Sequence, residues 1–191
     1  STELAEHCAE PVMDVRPEQK QIEGLGGNRR LAGRDVLITP GSIAALLFAD
    51  EPTAEPTNIE LPESNQPVDL DALAHLEPRV DPSRSFTVRR RFRHRFEVDP
   101  KYLETLESNG MIFSGRHPAQ PIMQMLELPM KVHPYFIGSQ FHPELTSRPL
   151  RPAPMFMGLV AAAIRHRYPE ANPSDISPRW LPQSRPETVS T

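Results

Sequence analysis

Proline is the residue that most constrains this chain, because it makes up 23 of the 191 residues, or about 12%. An average protein contains about 5% proline. Each proline fixes φ and removes a backbone donor, so the interior of a helix or of a central strand rarely tolerates it. The chain must therefore form short helices and strands that are separated by irregular segments. With 38% hydrophobic residues, it can still bury a modest core.

Two segments combine proline with few apolar residues. Residues 50–83 contain six prolines, nine acidic residues, no aromatic residue and one basic residue, Arg79. Such a composition buries too little surface to offset the entropy of the chain. We therefore predict a disordered acidic insertion here, with one helical turn near Leu70–Leu76. Residues 169–191 contain five more prolines, and we predict a disordered tail.

The rest of the chain reads as alternating strands and helices. Residues 11–15 alternate apolar and polar, which predicts a strand. Ser42 is placed to cap a helix through Phe48, Asp99 to cap a helix that begins at Pro100, and Pro154 to open an apolar helix. Further strands are predicted over 111–114, 122–128 and 135–141. This mixture favours an α/β or α+β unit.

Composition also argues against several classes of protein. The net charge of −4 is unlike that of a general nucleic-acid binder, which is normally basic. A single cysteine excludes an internal disulfide and a multi-cysteine zinc site. The histidines have no metal-ligand spacing, so no metal site is predicted. No apolar run reaches the roughly 18 residues of a membrane span. Ser1-Thr2-Glu3 is neither an initiator start nor a signal peptide, so we expect a processed chain or part of a longer protein.

A run of six arginines follows the acidic segment, within residues 84–95. Its apolar residues predict one strand from Phe86 to Val98. In such a strand Phe92, His94, Phe96 and Val98 share one face, and Arg91, Arg93, Arg95 and Glu97 share the other. Arginines interleaved with phenylalanines also suit a phosphate or RNA surface, so an anion-binding protein remains an alternative.

The sharpest local signal is Gln140-Phe141-His142-Pro143-Glu144. His142 and Glu144 are two residues apart, so in an extended chain they point the same way. Pro143 favours extended geometry at His142. A carboxylate against one imidazole nitrogen fixes the tautomer and leaves the other nitrogen as a base. The pair therefore resembles the base and its orienting acid in a catalytic triad.

Several motifs in order resemble the class I glutamine amidotransferase family, and more narrowly the glutaminase domain of the CTP synthases. They are Ser1-Thr2-Glu3, Pro17-Glu18-Gln19-Lys20, Gly26-Gly27, Arg93–Val98, Ser114-Gly115, Glu127-Leu128-Pro129, His133-Pro134 and Gln140–Glu144. The resemblance covers about residues 1–168, which would be the C-terminal portion of the domain. It implies an α/β fold, a sheet flanked by helices, of which this chain is a part.

The resemblance also implies roles for individual residues. His142 would be the general base and then acid, and Glu144 would orient it. Glu3 would hold the α-amino group of glutamine, and Arg95 its backbone carboxylate. The ammonia released from glutamine would pass to a synthase domain, where ATP-activated UTP becomes CTP.

The same resemblance defines what this chain lacks. The family's nucleophilic cysteine precedes Ser-Thr-Glu, whereas Cys8 follows it, so we expect Cys8 to be non-catalytic and the chain alone to be inactive. The implied partners are glutamine, the nucleophile-bearing half and the synthase domain, in a cytoplasmic homo-oligomer with no nucleic acid or membrane. No cofactor is expected in this segment. Mg²⁺ and ATP belong to the synthase domain of the parent, and GTP would be an effector. A degenerate, non-catalytic regulatory or interaction module remains an alternative.

Overall fold

A computed structural model describes residues 1–2, 4–5, 7–15, 32–49, 80–94 and 96–170. Within these residues the elements, in chain order, are β1 (Met13–Val15), β2 (Ala32–Ile38), α1 (Ile43–Phe48), β3 (Phe86–Phe92), β4 (Phe96–Val98), α2 (Leu103–Ser108), β5 (Ile112–Arg116), β6 (Met123–Glu127), β7 (Ile137–Ser139) and α3 (Pro154–Arg167). Two 3₁₀ turns cover Pro100–Tyr102 and Pro143–Leu145. The predicted tail beyond residue 170 and the predicted insertion up to residue 79 lie outside the described residues.

The strands form two antiparallel sheets. The larger has the order β3-β2-β5-β6-β7, and β1 pairs only with β4 in a sheet of two strands, as far as the described residues show. Strand β2 pairs with β3 from Ala32 opposite Phe92 to Ile38 opposite Phe86. The predicted α/β class is confirmed. Outside the sheet, the backbone N–H of Val80 donates to the carbonyl of Ala49, just after α1, at 3.1 Å.

The core lies between the larger sheet and the face of α1. Val36 and Val88 oppose each other in the β2–β3 ladder and are completely buried. Helix α1 adds Leu47 and Phe48 from the other side. The predicted cap is confirmed, because the Oγ of Ser42 accepts from the N–H of Ala45 at 3.0 Å.

A buried acid ties this helix to the sheet. Both carboxylate oxygens of Glu127, at the end of β6, accept from the first turn of α1: Oε1 from the N–H of Ile43 at 2.8 Å and Oε2 from that of Ala44 at 3.1 Å. These donors have no partner within the helix, and the positive end of the helix favours a carboxylate. Burial raises the pKa of Glu127, and the two N–H donors partly offset that rise.

The single strand predicted from Phe86 to Val98 is wrong. Strand β3 ends at Phe92 and β4 begins at Phe96, in the other sheet. Glu97, expected on the arginine face, is buried instead. The predicted strand is interrupted because its two parts have different partners. Residues 96–98 pair with β1, with Asp14 opposite Glu97, whereas β3 pairs with β2.

The caps predicted for the later helices are confirmed. The Asp99 carboxylate accepts from the N–H of Lys101 at 3.1 Å, and Gly110 ends the segment with a φ of 91°, which favours glycine. Pro154 occupies the first turn of α3. No helix within the described ranges is long and apolar enough to span a membrane.

Helix α3 packs closely through Gly158. A Cβ built there would lie 2.8 Å from the ring of Tyr135 and 2.9 Å from Cδ2 of Leu47. The Tyr135 ring is held in place, because its hydroxyl donates to the carbonyl of Met155 at 2.6 Å. The absence of a side chain at this position therefore sets the distance between α3 and the core.

We expect Gly158→Ala to destabilise the protein. Within a helix the change alone would add about 0.5–1 kcal/mol of stability, but here the methyl group overpacks the contact at a cost of about 1–3 kcal/mol. The measurement is the free energy of unfolding in urea. Ala163→Gly, at an exposed position of the same helix, calibrates the propensity effect and should lower stability by about 1 kcal/mol. A stabilised Gly158→Ala variant would contradict the packing described.

Candidate functional site

The His-Pro-Glu turn lies at the point where the chain leaves β7 and meets the end of β3. Phe141 forms an antiparallel bridge with Phe92, and the backbone N–H of His142 donates to the carbonyl of Arg91 at 3.0 Å. His142 has φ −108° and ψ 92°, the extended geometry predicted for a residue before proline. Pro143 then begins the 3₁₀ turn, so a turn and not a strand leads to Glu144.

The turn brings the two side chains of the predicted pair into direct contact. Nδ1 of His142 lies 2.6 Å from Oε1 of Glu144, the length of a strong hydrogen bond to a charged acceptor. The side chain of His142 is 33% exposed and that of Glu144 is 56% exposed. A group in solution or on a neighbouring segment can therefore reach them.

Three kinds of contact lower the pKa of Glu144. Its own backbone N–H contributes most, followed by the hydrogen bond from His142, and the positive charge of Arg93 adds a smaller effect. The carboxylate is thus held ionised and able to accept from Nδ1. This arrangement leaves Nε2 of His142 as the nitrogen that can take or give a proton.

Aromatic packing fixes the base of the turn. The ring of Phe141 meets those of Phe48 and Phe92 edge to face, at centroid distances of 6.1 and 5.8 Å. Such pairs contribute about 0.5–1.5 kcal/mol beyond the area they bury. Because Phe141 precedes His142, this packing restricts where the imidazole can move.

A buried contact between a histidine and a glutamate was missed by the sequence analysis. Nε2 of His94 lies 3.3 Å from Oε1 of Glu97, and both side chains are at least nine-tenths buried. The side chain of Gln140 donates to the carbonyl of Phe96 at 3.4 Å, which joins this segment to the chain just before His142. The spacing of three residues was the available signal, but a straight strand would have placed the two side chains on opposite faces.

The other residues considered for the site are not seen at the His-Pro-Glu turn. Glu3 and Arg95 lie outside the described residues. Cys8 is partly exposed, with its backbone N–H bonded to the carbonyl of Ala5 at 3.0 Å. In the described segments no hydrogen bond or ion pair joins Cys8 to His142, and no group of three His, Cys, Asp or Glu side chains could hold a metal ion.

The chain is similar in sequence to a known family and to several proteins that share one name. Residues 44–162 match the family model "Glutamine amidotransferase class-I". The chain is 38% identical over 170 residues to a CTP synthase of Archaeoglobus fulgidus, which covers 89% of this chain and 25% of that protein. It is 33% identical over 181 residues to a CTP synthase of Saccharopolyspora erythraea, with 93% and 26% covered. The chain thus spans about a quarter of the length of the curated relatives it matches.

A solved structure shares the fold. The glutaminase domain of the Trypanosoma brucei CTPS, with acivicin bound, superposes with a TM-score of 0.60 at 23% identity. The match covers 86% of this chain and 50% of that one. At this identity the likeness supports the arrangement of the sheet and helices.

We expect the Glu144 carboxyl to titrate below the ordinary value of 4.5 in a ¹³C NMR titration. His142→Ala should raise the Glu144 pKa only part of the way, because the backbone N–H remains. Since the folded pKa is the lower one, ionised Glu144 adds stability above pH 4.5, and that contribution is lost as the pH falls through the folded pKa.

Two variants control this measurement. Arg93→Gln should raise the Glu144 pKa by less than His142→Ala, and His133→Ala, at an exposed position, should leave it unchanged. A Glu144 pKa that does not respond to His142→Ala would show that the two side chains are not paired in solution.

Proposed function

Because the chain belongs to the class I glutamine amidotransferase family, we propose that it supplies the histidine and glutamate of a Cys-His-Glu triad that hydrolyses glutamine. The ammonia released would serve the ATP-dependent amination of UTP to CTP in a CTP synthase. The observation that carries this proposal is the 2.6 Å contact between Nδ1 of His142 and Oε1 of Glu144 on a turn fixed by β3 and the aromatic core.

The chemistry follows from the pair. With Nδ1 held by the ionised Glu144, Nε2 of His142 takes the proton of a cysteine thiol. The thiolate attacks the side-chain amide carbon of glutamine, and the C–N bond breaks as His142 returns the proton to the leaving ammonia. Water then hydrolyses the thioester to glutamate, with the same nitrogen as general base.

Glu3 and Arg95 are proposed to bind glutamine, at its amino group and carboxylate. Their neighbours support a common location. The N–H of Thr2 donates to the carbonyl of Met13 in β1 at 3.1 Å, and β1 pairs with β4, which begins at Phe96. The carbonyl of Phe96 is in turn bonded to Gln140, two residues before His142.

The nucleophile is proposed to come from another part of the amidotransferase domain, since no hydrogen bond or ion pair joins Cys8 to His142 among the described residues. The surface of α3 supports this idea. Phe156, Leu159 and Val160 are 41%, 54% and 51% exposed, and adjacent exposed apolar side chains on a helix are typical of a packing surface. We propose that the nucleophile-bearing part of the domain covers this face. Four further expectations stay predictions. They are a synthase domain in the parent protein, the binding of Mg²⁺ and ATP to that domain, GTP as an effector, and assembly into a homo-oligomer.

We expect His142→Ala, in the parent protein with its synthase domain, to abolish glutamine-dependent CTP formation. Without the imidazole no base activates the thiol and no acid protonates the leaving ammonia, a loss of about 10²-fold or more. Free ammonia bypasses this step, so ammonia-dependent CTP formation should survive. The assay is CTP formation with glutamine and, separately, with an ammonium salt. Glu144→Gln should give an intermediate loss.

The control is His133→Ala, an exposed position away from α3, which should keep both activities. Normal glutamine-dependent turnover in His142→Ala would refute the triad and favour the non-catalytic alternative. Equal loss of both activities would show that His142 has only a structural role.

Arg95→Ala in the same parent should raise the KM for glutamine by roughly ten- to a hundred-fold, because one charge-assisted hydrogen bond contributes about 1.5–3 kcal/mol. Steady-state kinetics with glutamine measure this change, and Arg89→Ala, on a solvated stretch of β3, is the matched control. If kcat falls while KM stays constant, Arg95 does not bind the ground-state substrate.

A further inference from the structure

The connection between β3 and β4, from Phe92 to Glu97, holds two buried titratable side chains that the proposed mechanism does not use. Nε2 of His94 lies 3.3 Å from Oε1 of Glu97, and the two side chains are 10% and 3% exposed. A polar contact at this depth restricts the chain strongly, because alternative partners such as water are scarce there. The contact therefore fixes the corner at which the chain passes from one sheet to the other.

The ring of His94 is restrained from two directions. Its centroid lies 5.5 Å from that of the Phe92 ring, at the end of β3, and its Nε2 is held by Glu97 in β4. Within the described segments its Nδ1 has no hydrogen-bond partner, so the bond to Glu97 is the polar contact that orients the ring. Each end of the corner thus contributes one of the two restraints.

Two contacts lead from the corner to the candidate catalytic turn. The ring of Phe92 meets that of Phe141 edge to face at 5.8 Å, and Phe141 directly precedes His142. The side chain of Gln140 donates to the carbonyl of Phe96 at 3.4 Å. The residues just before His142 therefore rest on both ends of the corner.

A third connection is electrostatic. Arg93 is the chain neighbour of His94 and is exposed, and its positive charge is one of the causes that lower the pKa of Glu144. An attraction between charges weakens with distance and with exposure to water. The effect on Glu144 therefore requires that the corner keep Arg93 near the carboxylate.

We propose that His94 and Glu97 are positioning residues for the pair formed by His142 and Glu144. They hold the corner so that Phe92 supports the turn and Arg93 stays near Glu144, and they act through these neighbours. A catalytic group must be held by residues that are themselves locked by packing and hydrogen bonds, and the buried contact supplies such a lock. The catalytic importance of this role rests on the proposed triad, whereas the positioning is a property of the chain alone.

The first test is a ¹³C NMR titration of Glu144 in the 191-residue chain, with the ring signals of His142 recorded in parallel. His94→Phe keeps a ring against Phe92 but loses the bond to Glu97. We expect it to raise the Glu144 pKa as much as Arg93→Gln does and to shift the His142 signals. The double variant should show no further rise, because the two changes remove the same interaction.

Glu97→Gln keeps the size of the side chain and should give a smaller change of the same sign. It carries the test if near-ultraviolet circular dichroism shows that His94→Phe does not fold. The matched control is Thr39→Val, which removes a hydrogen bond to the carbonyl of Phe113. Thr39 follows the end of β2 that is remote from the residue paired with Phe92, so this variant should leave both the Glu144 pKa and the His142 signals unchanged.

The second test is CTP formation by the parent protein. His94→Phe should lower kcat/KM for glutamine by about ten- to a hundred-fold, since small displacements of reacting groups have effects of this size. Ammonia-dependent CTP formation should be kept, because it bypasses the turn, and Thr39→Val should keep both activities.

The outcomes separate this role from the triad itself. An unchanged Glu144 pKa and unchanged His142 signals in folded His94→Phe would refute the positioning role and leave the triad standing. Additive effects of His94→Phe and Arg93→Gln would also refute it, since the corner would then not act through Arg93. If the NMR changes occur but His94→Phe and His142→Ala both keep normal glutamine-dependent turnover, the proposed function fails and the positioning stands. If only His94→Phe keeps that turnover, the corner has no importance for catalysis.

Discussion

The packing of Phe141 against Phe48 and Phe92 is the interaction on which the rest of the site depends. It joins the end of β7 to β3 and to α1, the two sides of the core. On one side of it the backbone N–H of His142 donates to the carbonyl of Arg91, and on the other the guanidinium of Arg90 lies over the Phe48 ring. One aromatic ring therefore links the candidate base to the hydrophobic core, so a change in the packing of the core would also move the site.

Local signals in the sequence predicted a large part of this structure. Ser42, Asp99 and Pro154 predicted the starts of helices because capping depends on neighbouring residues alone. The contact between His142 and Glu144 was also predicted, since Pro143 limits the backbone between them. The family resemblance, drawn from ordered motifs, is confirmed by the family match over residues 44–162.

What could not be predicted depends on contacts distant in sequence. The run from Phe86 to Val98 alternates as one strand, and no proline or glycine interrupts it. Its break after Phe92 exists because β1, far away in the chain, pairs with residues 96–98. The burial of Glu97 with His94 follows from that pairing.

The hydrogen bond between Val80 and Ala49 has a consequence for how this family member can change. It joins the backbone just after α1 to the backbone shortly before β3, on either side of residues 50–79. A change in the number of residues between Ala49 and Val80 therefore need not alter the register of β2 and β3, and doubling that number would add only about 0.6 kcal/mol of closure entropy. This junction is a natural place for sequence drift during evolution, and for grafting a foreign peptide or a fluorescent reporter without shifting the framework.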